Sequence, residues 1–297
     1  MLKRFFNPLA FGVVAVALSF GLAGHSASAA TVAQPTAFTV TVTGTGKPMI
    51  LIPGLASSGA VWDSTVAHYA SRYKCYVLQI AGFAGAPSVQ GPLLTTVEQE
   101  LAAYIDNQHL DHPTIVGHSL GGYLTLKMGI DYPDKVGALV IVDSLPALGA
   151  AQMPDASTEQ MKNMARRMRE GMLEGDAAAQ DASRRAAVGT MVTSPGDLER
   201  IVEWGAKSDR KVVADAMYDL MATDLRREVA RIKSPTLVLG SWVAYKAYGP
   251  KAAFEANYKS QYAKLAGVQV VMSDVGRHFI MYDDPQWMFA RMDEFLK

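Results

Sequence analysis

The 297-residue chain contains one cysteine, Cys75, and that scarcity removes two classes of protein at once. A single thiol cannot build an internal disulfide framework or a cysteine-based zinc cluster, so Cys75 is read as a buried filler. Charge of one sign is also missing, with 28 Lys and Arg against 28 Asp and Glu. A balanced surface does not attract a phosphate backbone, which argues against nucleic acid as a partner. Histidine is scarce, with six in all, and the search for a general base is correspondingly short. Past the N-terminal segment, no apolar run approaches the roughly 20 residues of a bilayer-spanning helix.

What is present begins with a segment of different texture. Lys3 and Arg4 precede an apolar run from Leu9 to Ala23, and Ala27-Ser28-Ala29 follows. A basic start, a short apolar middle and a small-x-small ending describe an export signal. Residues 1–29 are therefore expected to be removed, leaving a periplasmic or secreted protein. The run is shorter than a bilayer span, and no cysteine stands where a lipid anchor needs one, so no stable membrane anchor is expected. Loss of Lys3 and Arg4 leaves 26 basic against 28 acidic side chains. With 49% hydrophobic residues the remainder can bury a sizeable core.

From Ala37 onward, short apolar runs alternate with helical patterns, the signature of a parallel sheet with crossover helices. The predicted strands are 38–42, 49–52, 75–80, 113–117, 138–143, 235–240 and 268–272. Thr95 and Glu98 read as a capping box ahead of a helix whose face carries Val97, Leu101, Tyr104 and Ile105. Asp284 and Pro285 stand where an N-cap and first helical residue belong, ahead of a closing helix. The rhythm breaks over 144–233, which shows helical periodicity without a convincing strand. This stretch is read as an inserted helical cap between core segments 30–143 and 234–297. Met161, Met164, Met168 and Met172 recur there at helical spacing. Such a stripe either docks the cap on the core or faces a substrate, and different methionines can do each.

The sharpest motif is Gly117-His118-Ser119-Leu120-Gly121-Gly122, directly after the apolar Thr114 to Val116 and before the helical run Tyr123, Leu124, Met128. A nucleophile at a strand-turn-helix elbow sits in strained backbone, and the residues two before and two after must be tiny. Gly117 and Gly121 satisfy that rule, so Ser119 is the candidate nucleophile. The helix beginning there also aims its N-terminal amides at the reacting centre.

With this elbow the sequence resembles the α/β-hydrolase superfamily, specifically its serine esterase and lipase-like members with a helical cap. The resemblance covers nearly all of the chain after residue 29. It implies an α/β fold, a mostly parallel sheet with helices on both faces, and extends to residues 51–62, LIPGLASSGAVW, which look like the oxyanion loop. The backbone amides of Leu55 and Leu120 are then the expected oxyanion donors. His278, after the last predicted strand, stands where the superfamily carries its catalytic histidine. His118 is expected to pack under the turn, and His109, Asp111 and His112 read as a solvated cluster, with no metal site expected. The departure is the acid, because residues 237–249 after the penultimate strand hold none. Asp143, ending the preceding strand, keeps the order Ser119, Asp143, His278 and is the first candidate; Glu255, Asp274 or a dyad without an acid are the alternatives.

The expected chemistry is acyl transfer to water without cofactor or metal, on a small apolar ester, thioester or lactone. Serine rather than aspartate at the elbow argues against dehalogenase or epoxide hydrolase chemistry. Trp242 and Tyr245 are expected near the pocket. The same triad also serves acyltransferases, perhydrolases and carbon-carbon bond hydrolases, and a non-catalytic ligand-binding protein on a hydrolase scaffold is the reading from a different class.

Overall fold

The computed structural model describes residues 34–151 and 155–297, and the segment read as an export signal lies outside them. Seven strands form one sheet: β1 (Phe38–Gly44), β2 (Lys47–Ile52), β3 (Tyr73–Ile80), β4 (Thr114–His118), β5 (Leu139–Val142), β6 (Thr236–Gly240) and β7 (Gln269–Met272). Their order is β1-β3-β2-β4-β5-β6-β7, with β1 antiparallel to β3 and every other pair parallel. Each parallel crossover passes through helical chain, as parallel pairing demands.

The helices are α1 (Asp63–Tyr69), α2 (Leu93–Asn107), α3 (Leu120–Asp131), α4 (Thr158–Leu173), α5 (Ala177–Met191), α6 (Pro195–Lys207), α7 (Arg210–Ala222), α8 (Lys251–Gln261), α9 (Ile280–Asp283) and α10 (Pro285–Phe295). The period-two side-chain alternation of β2 divides the core. Met49 and Leu51 pack with Tyr69 of α1 and Met288 and Met292 of α10. Ile50 and Ile52 pack on the other face with Leu101 of α2, Leu124 of α3 and Tyr258 of α8. Both faces are covered, which explains the continuous apolar stretches Met49 to Ile52 in β2, Ile115 to Val116 in β4 and Leu139 to Val142 in β5.

The capping box expected at Thr95 and Glu98 is absent. Helix α2 starts earlier, at Leu93 with Pro92 as its N-cap, and Thr96 Oγ1 donates to the Pro92 carbonyl at 3.0 Å. Glu98 instead turns inward toward Lys127 of α3, 3.6 Å away. A true capping box lies at the start of α4, where Ser157 and Gln160 exchange side-chain and backbone hydrogen bonds of 3.2 and 2.8 Å. Pro285 does open α10, but Asp284 spends its carboxylate on Ser273 Oγ at 2.7 Å rather than on a cap.

Helices α4 to α7 are inserted between β5 and β6, with α4 packed chiefly on α7 and α5 on α6. The methionine stripe of α4 divides its work. Met161 is fully buried with Ala147 and Ala150 of the core connection, while Met168 and Met172 face a cavity.

Candidate active site

Five adjacent parallel strands, β2, β4, β5, β6 and β7, each end in a loop at the same carboxyl edge, the position where open α/β sheets bind ligands. β4 delivers Ser119 with φ 52° and ψ −115°, a strained backbone for a side-chain-bearing residue. Two glycines make that turn possible. A Cβ on Gly117 would lie 2.1 Å from the Gly121 carbonyl oxygen, and one on Gly121 would lie 2.2 Å from that of Ile52. Ser119 is half-buried and borders a cavity of about 590 Å³ together with His278, His118 and Leu55.

Asp143 directly follows β5, also at positive φ, 47°. Its carboxylate is buried and accepts four hydrogen bonds, two on each oxygen. Oδ2 accepts from His278 Nδ1 at 2.6 Å and from Ser241 Oγ at 2.9 Å. Oδ1 accepts from the Ser241 amide and the Tyr258 hydroxyl, both at 2.7 Å. Burial pushes this carboxyl up, but the bonds from His278, Tyr258 and Ser241 outweigh it and hold the group below its ordinary range. The same carboxylate, after burial itself, keeps the Tyr258 phenol protonated far above its usual range. With Nδ1 donating to Asp143, the Nε2 of a neutral His278 is an acceptor, the form a general base needs.

The other candidate acids are engaged elsewhere, Glu255 with Lys259 and Asp274 with Lys251, each at 2.6 Å. His118 is buried between Gly54 and His278, its ring centroid 4.6 Å from that of His278. Desolvation, with His278 adding to it, lowers its pKa to about 3, so it stays neutral. Its Nε2–H donates to the His278 main-chain carbonyl at 3.0 Å and steadies the loop that carries the base. His112 and Asp111 pair with each other at the exposed surface, 2.6 Å apart.

The loop after β2 passes directly over the elbow, since a Cβ on Gly54 would fall 3.3 Å from the Ser119 Cβ. Leu55, the next residue, lines the cavity. Leu120 opens α3, where first-turn amides have no intrahelical carbonyl to bond. Trp242 and Tyr245, expected near the pocket, do not themselves border this cavity. The chain after β6 turns toward α8, where the Tyr245 ring stacks on Phe254 at 5.8 Å and Trp242 packs on the core.

A sequence model of the alpha/beta hydrolase family matches residues 49–291, the elbow, the inserted helices and the histidine loop included. The chain belongs to that family. Among curated relatives, the pimeloyl-(acyl-carrier protein) methyl ester esterase of Aeromonas hydrophila subsp. hydrophila is 28% identical over 204 residues, 65% of this chain and 76% of that one. Among solved structures, the enol-lactonase from Burkholderia xenovorans LB400 superposes with a TM-score of 0.69 at 18% identity, covering 87% of this chain and 96% of the other. The bromoperoxidase from Bacillus anthracis gives 0.73 at 17% identity, covering 87% and 95%. At such identities these two likenesses establish the fold alone.

Within this alpha/beta hydrolase, two residues that hold Asp143 were missed by sequence reasoning. Ser241 directly follows β6, where the acid was sought and not found, and it offers two donors instead. Tyr258 lies 115 positions from Asp143, and nothing local in its helix marks it.

Proposed function

We propose that the protein is a serine hydrolase that cleaves carboxylic esters, thioesters and lactones included, through an acyl-enzyme. The observation that carries the reading is the Asp143–His278 hydrogen bond beside a cavity that Ser119 also borders. His278 Nε2 takes the Ser119 proton as the hydroxyl attacks the ester carbonyl, and the amides of Leu55 and Leu120 receive the developing oxyanion. The imidazolium, held by Asp143, then returns the proton to the departing alcohol. Water enters, loses a proton to His278 and attacks the acyl carbon, and His278 returns that proton to the Ser119 oxygen as the carboxylic acid leaves.

An ester as substrate is supported by the methyl ester esterase name of the 28% identical relative. The cavity wall favours an uncharged, moderately hydrophobic molecule, because Met168, Met172, Met191, Val188 and Phe279 contribute to it. Residues 1–29 are proposed as an export signal on their sequence pattern, and N-terminal sequencing of the protein recovered outside the cytoplasm tests that. Hydrolysis of an aryl ester by the purified protein tests the chemistry. Ser119→Ala is expected to lower kcat at least about a thousandfold, and a variant with near-parental turnover would overturn the assignment.

A further inference from the structure

The cavity continues well past Ser119, and the continuation has a direction. Ala179, Ser183, Ala187 and Met191 all border it, spaced four residues apart on one face of α5. From the first to the last of these the helix rises about 18 Å. The facing wall comes from α4 and α7, with Met168, Met172 and Met217. The space of about 590 Å³ is thus an open slot whose walls run along α5 on one side and α4 and α7 on the other, with Ala179, Ser183 and Ala187 exposed in it.

Both ends of the slot are fixed. At the catalytic end, α5 is stitched to the segment bearing His278. Arg277 Nη1 donates to the Gly189 and Val192 carbonyls at 3.0 and 3.2 Å, and the Phe279 amide donates to the Met191 carbonyl at 3.1 Å. Asp283 accepts from the Arg277 amide at 3.0 Å and from the Thr193 amide at 2.8 Å, tying the two segments again. The wall carries Arg184 midway along α5, and at the other end it turns polar throughout. Gln180 Nε2 and Arg210 Nη2 donate to the Glu174 carbonyl at 2.7 and 2.6 Å, and Arg210 Nε donates to that of Met172 at 2.9 Å. A methylene arriving there would meet charge and amide instead of thioether.

We infer that this slot holds one linear apolar arm of the ester, laid along α5, and that positions 187, 183 and 179 read its length in that order from the catalytic end. The inference rests on the ester-cleaving reading above and names the substrate class for it: esters with an unbranched aliphatic arm. The methionines facing α5 adapt to chains of different length, and the stitching at Arg277 keeps the helix in register with the histidine. The ester can present either its acyl or its alkyl side to the slot.

Phenylalanine at each reading position supplies the test, in the full mature protein. Two substrate series are measured, phenyl esters from acetate to dodecanoate and acetates of lengthening primary alcohols. The readout is kcat/KM for each chain relative to acetate. Ala187→Phe is expected to lower that ratio at least about tenfold from medium chains upward, because several methylenes lose their burial. Ser183→Phe cuts in at longer chains and Ala179→Phe only at the longest. Ala186→Phe, placed on α5 off the cavity and exposed, leaves the ratio as in the parent. The series that shifts identifies the arm held in the slot. Ratios unchanged in both series, or losses out of the order 187, 183, 179, overturn the inference while acetate hydrolysis through Ser119 still upholds the chemistry. Failure of the parent to hydrolyse any ester would instead overturn the ester-cleaving reading itself.

Discussion

Asp143 is the residue on which the candidate site balances. A buried carboxylate without partners would take up a proton rather than pay the desolvation of its charge, and this one keeps its charge through four donated hydrogen bonds. Replacing it by asparagine preserves the volume but not the partner that selects the His278 tautomer. Asp143→Asn is expected to lower kcat at least about a hundredfold with an unchanged circular dichroism spectrum; near-parental turnover would remove Asp143 from the mechanism. Tyr258→Phe deletes one donor to a charged acceptor and is expected to cost about 1.5–3 kcal/mol of stability in urea unfolding at pH 7. The sign with pH follows from the depressed carboxyl. Its stabilising effect is complete above the ordinary carboxylate range and is lost as pH falls through its folded-state value, so parent and variant converge in acid. Ser119 and His278 were legible in the sequence because an elbow needs glycines at fixed offsets and because few histidines competed. Tyr258 and Ser241 were not, since a hydroxyl that donates across the fold leaves no local pattern.

At the level of elements, the elbow works by close approach of strand and helix. Gly121→Ala would place a methyl 2.2 Å from the Ile52 carbonyl oxygen. The variant is expected to lose about 3 kcal/mol or more, measured by denaturant unfolding, with activity falling alongside because the loop that follows Ile52 carries the Leu55 amide. The junction of α2 and α3 makes a second prediction. Burial raises Glu98 from 4.5 to about 7, assisted by its hydrogen bond to Asp131 and opposed by Lys127. The folded state thus binds a proton that the unfolded chain releases, and stability falls as pH rises from about 4.5 to about 7. Glu98→Gln keeps a donor toward Asp131 and removes the buried charge, so its melting temperature is expected to exceed the parent's at pH 8 and to lose that margin at pH 5. Strand positions were readable to within a residue or two, since both sheet faces are covered and the centres of β2, β4 and β5, Met49 to Ile52, Ile115 to Val116 and Leu139 to Val142, are apolar. The start of α2 was misread because Thr95 and Glu98 have capping-box spacing, while Glu98 is claimed by a tertiary contact that spacing does not reveal.

Across the whole molecule, one sheet edge gathers groups from residues 54, 119, 143, 241 and 278, while the inserted helices roof the cavity above them. The sequence allowed the insertion to be bounded by its lack of strands, but it left open which methionines pack and which face a ligand. That division depends on how α4 leans on α7, a matter of tertiary packing. Trp242 and Tyr245 do not border the cavity; the turn after β6 leads into α8, where Tyr245 stacks on Phe254. The central claim is that Ser119 becomes a nucleophile when His278 and Asp143 act on it from distant parts of the chain. Reaction of the folded protein with a fluorophosphonate, followed by peptide mass mapping, tests it most directly. One adduct on Ser119 is expected, formed much more slowly in His278→Ala and absent in Ser119→Ala; a folded parent that resists the reagent, or carries the adduct on another residue, would rule the triad out.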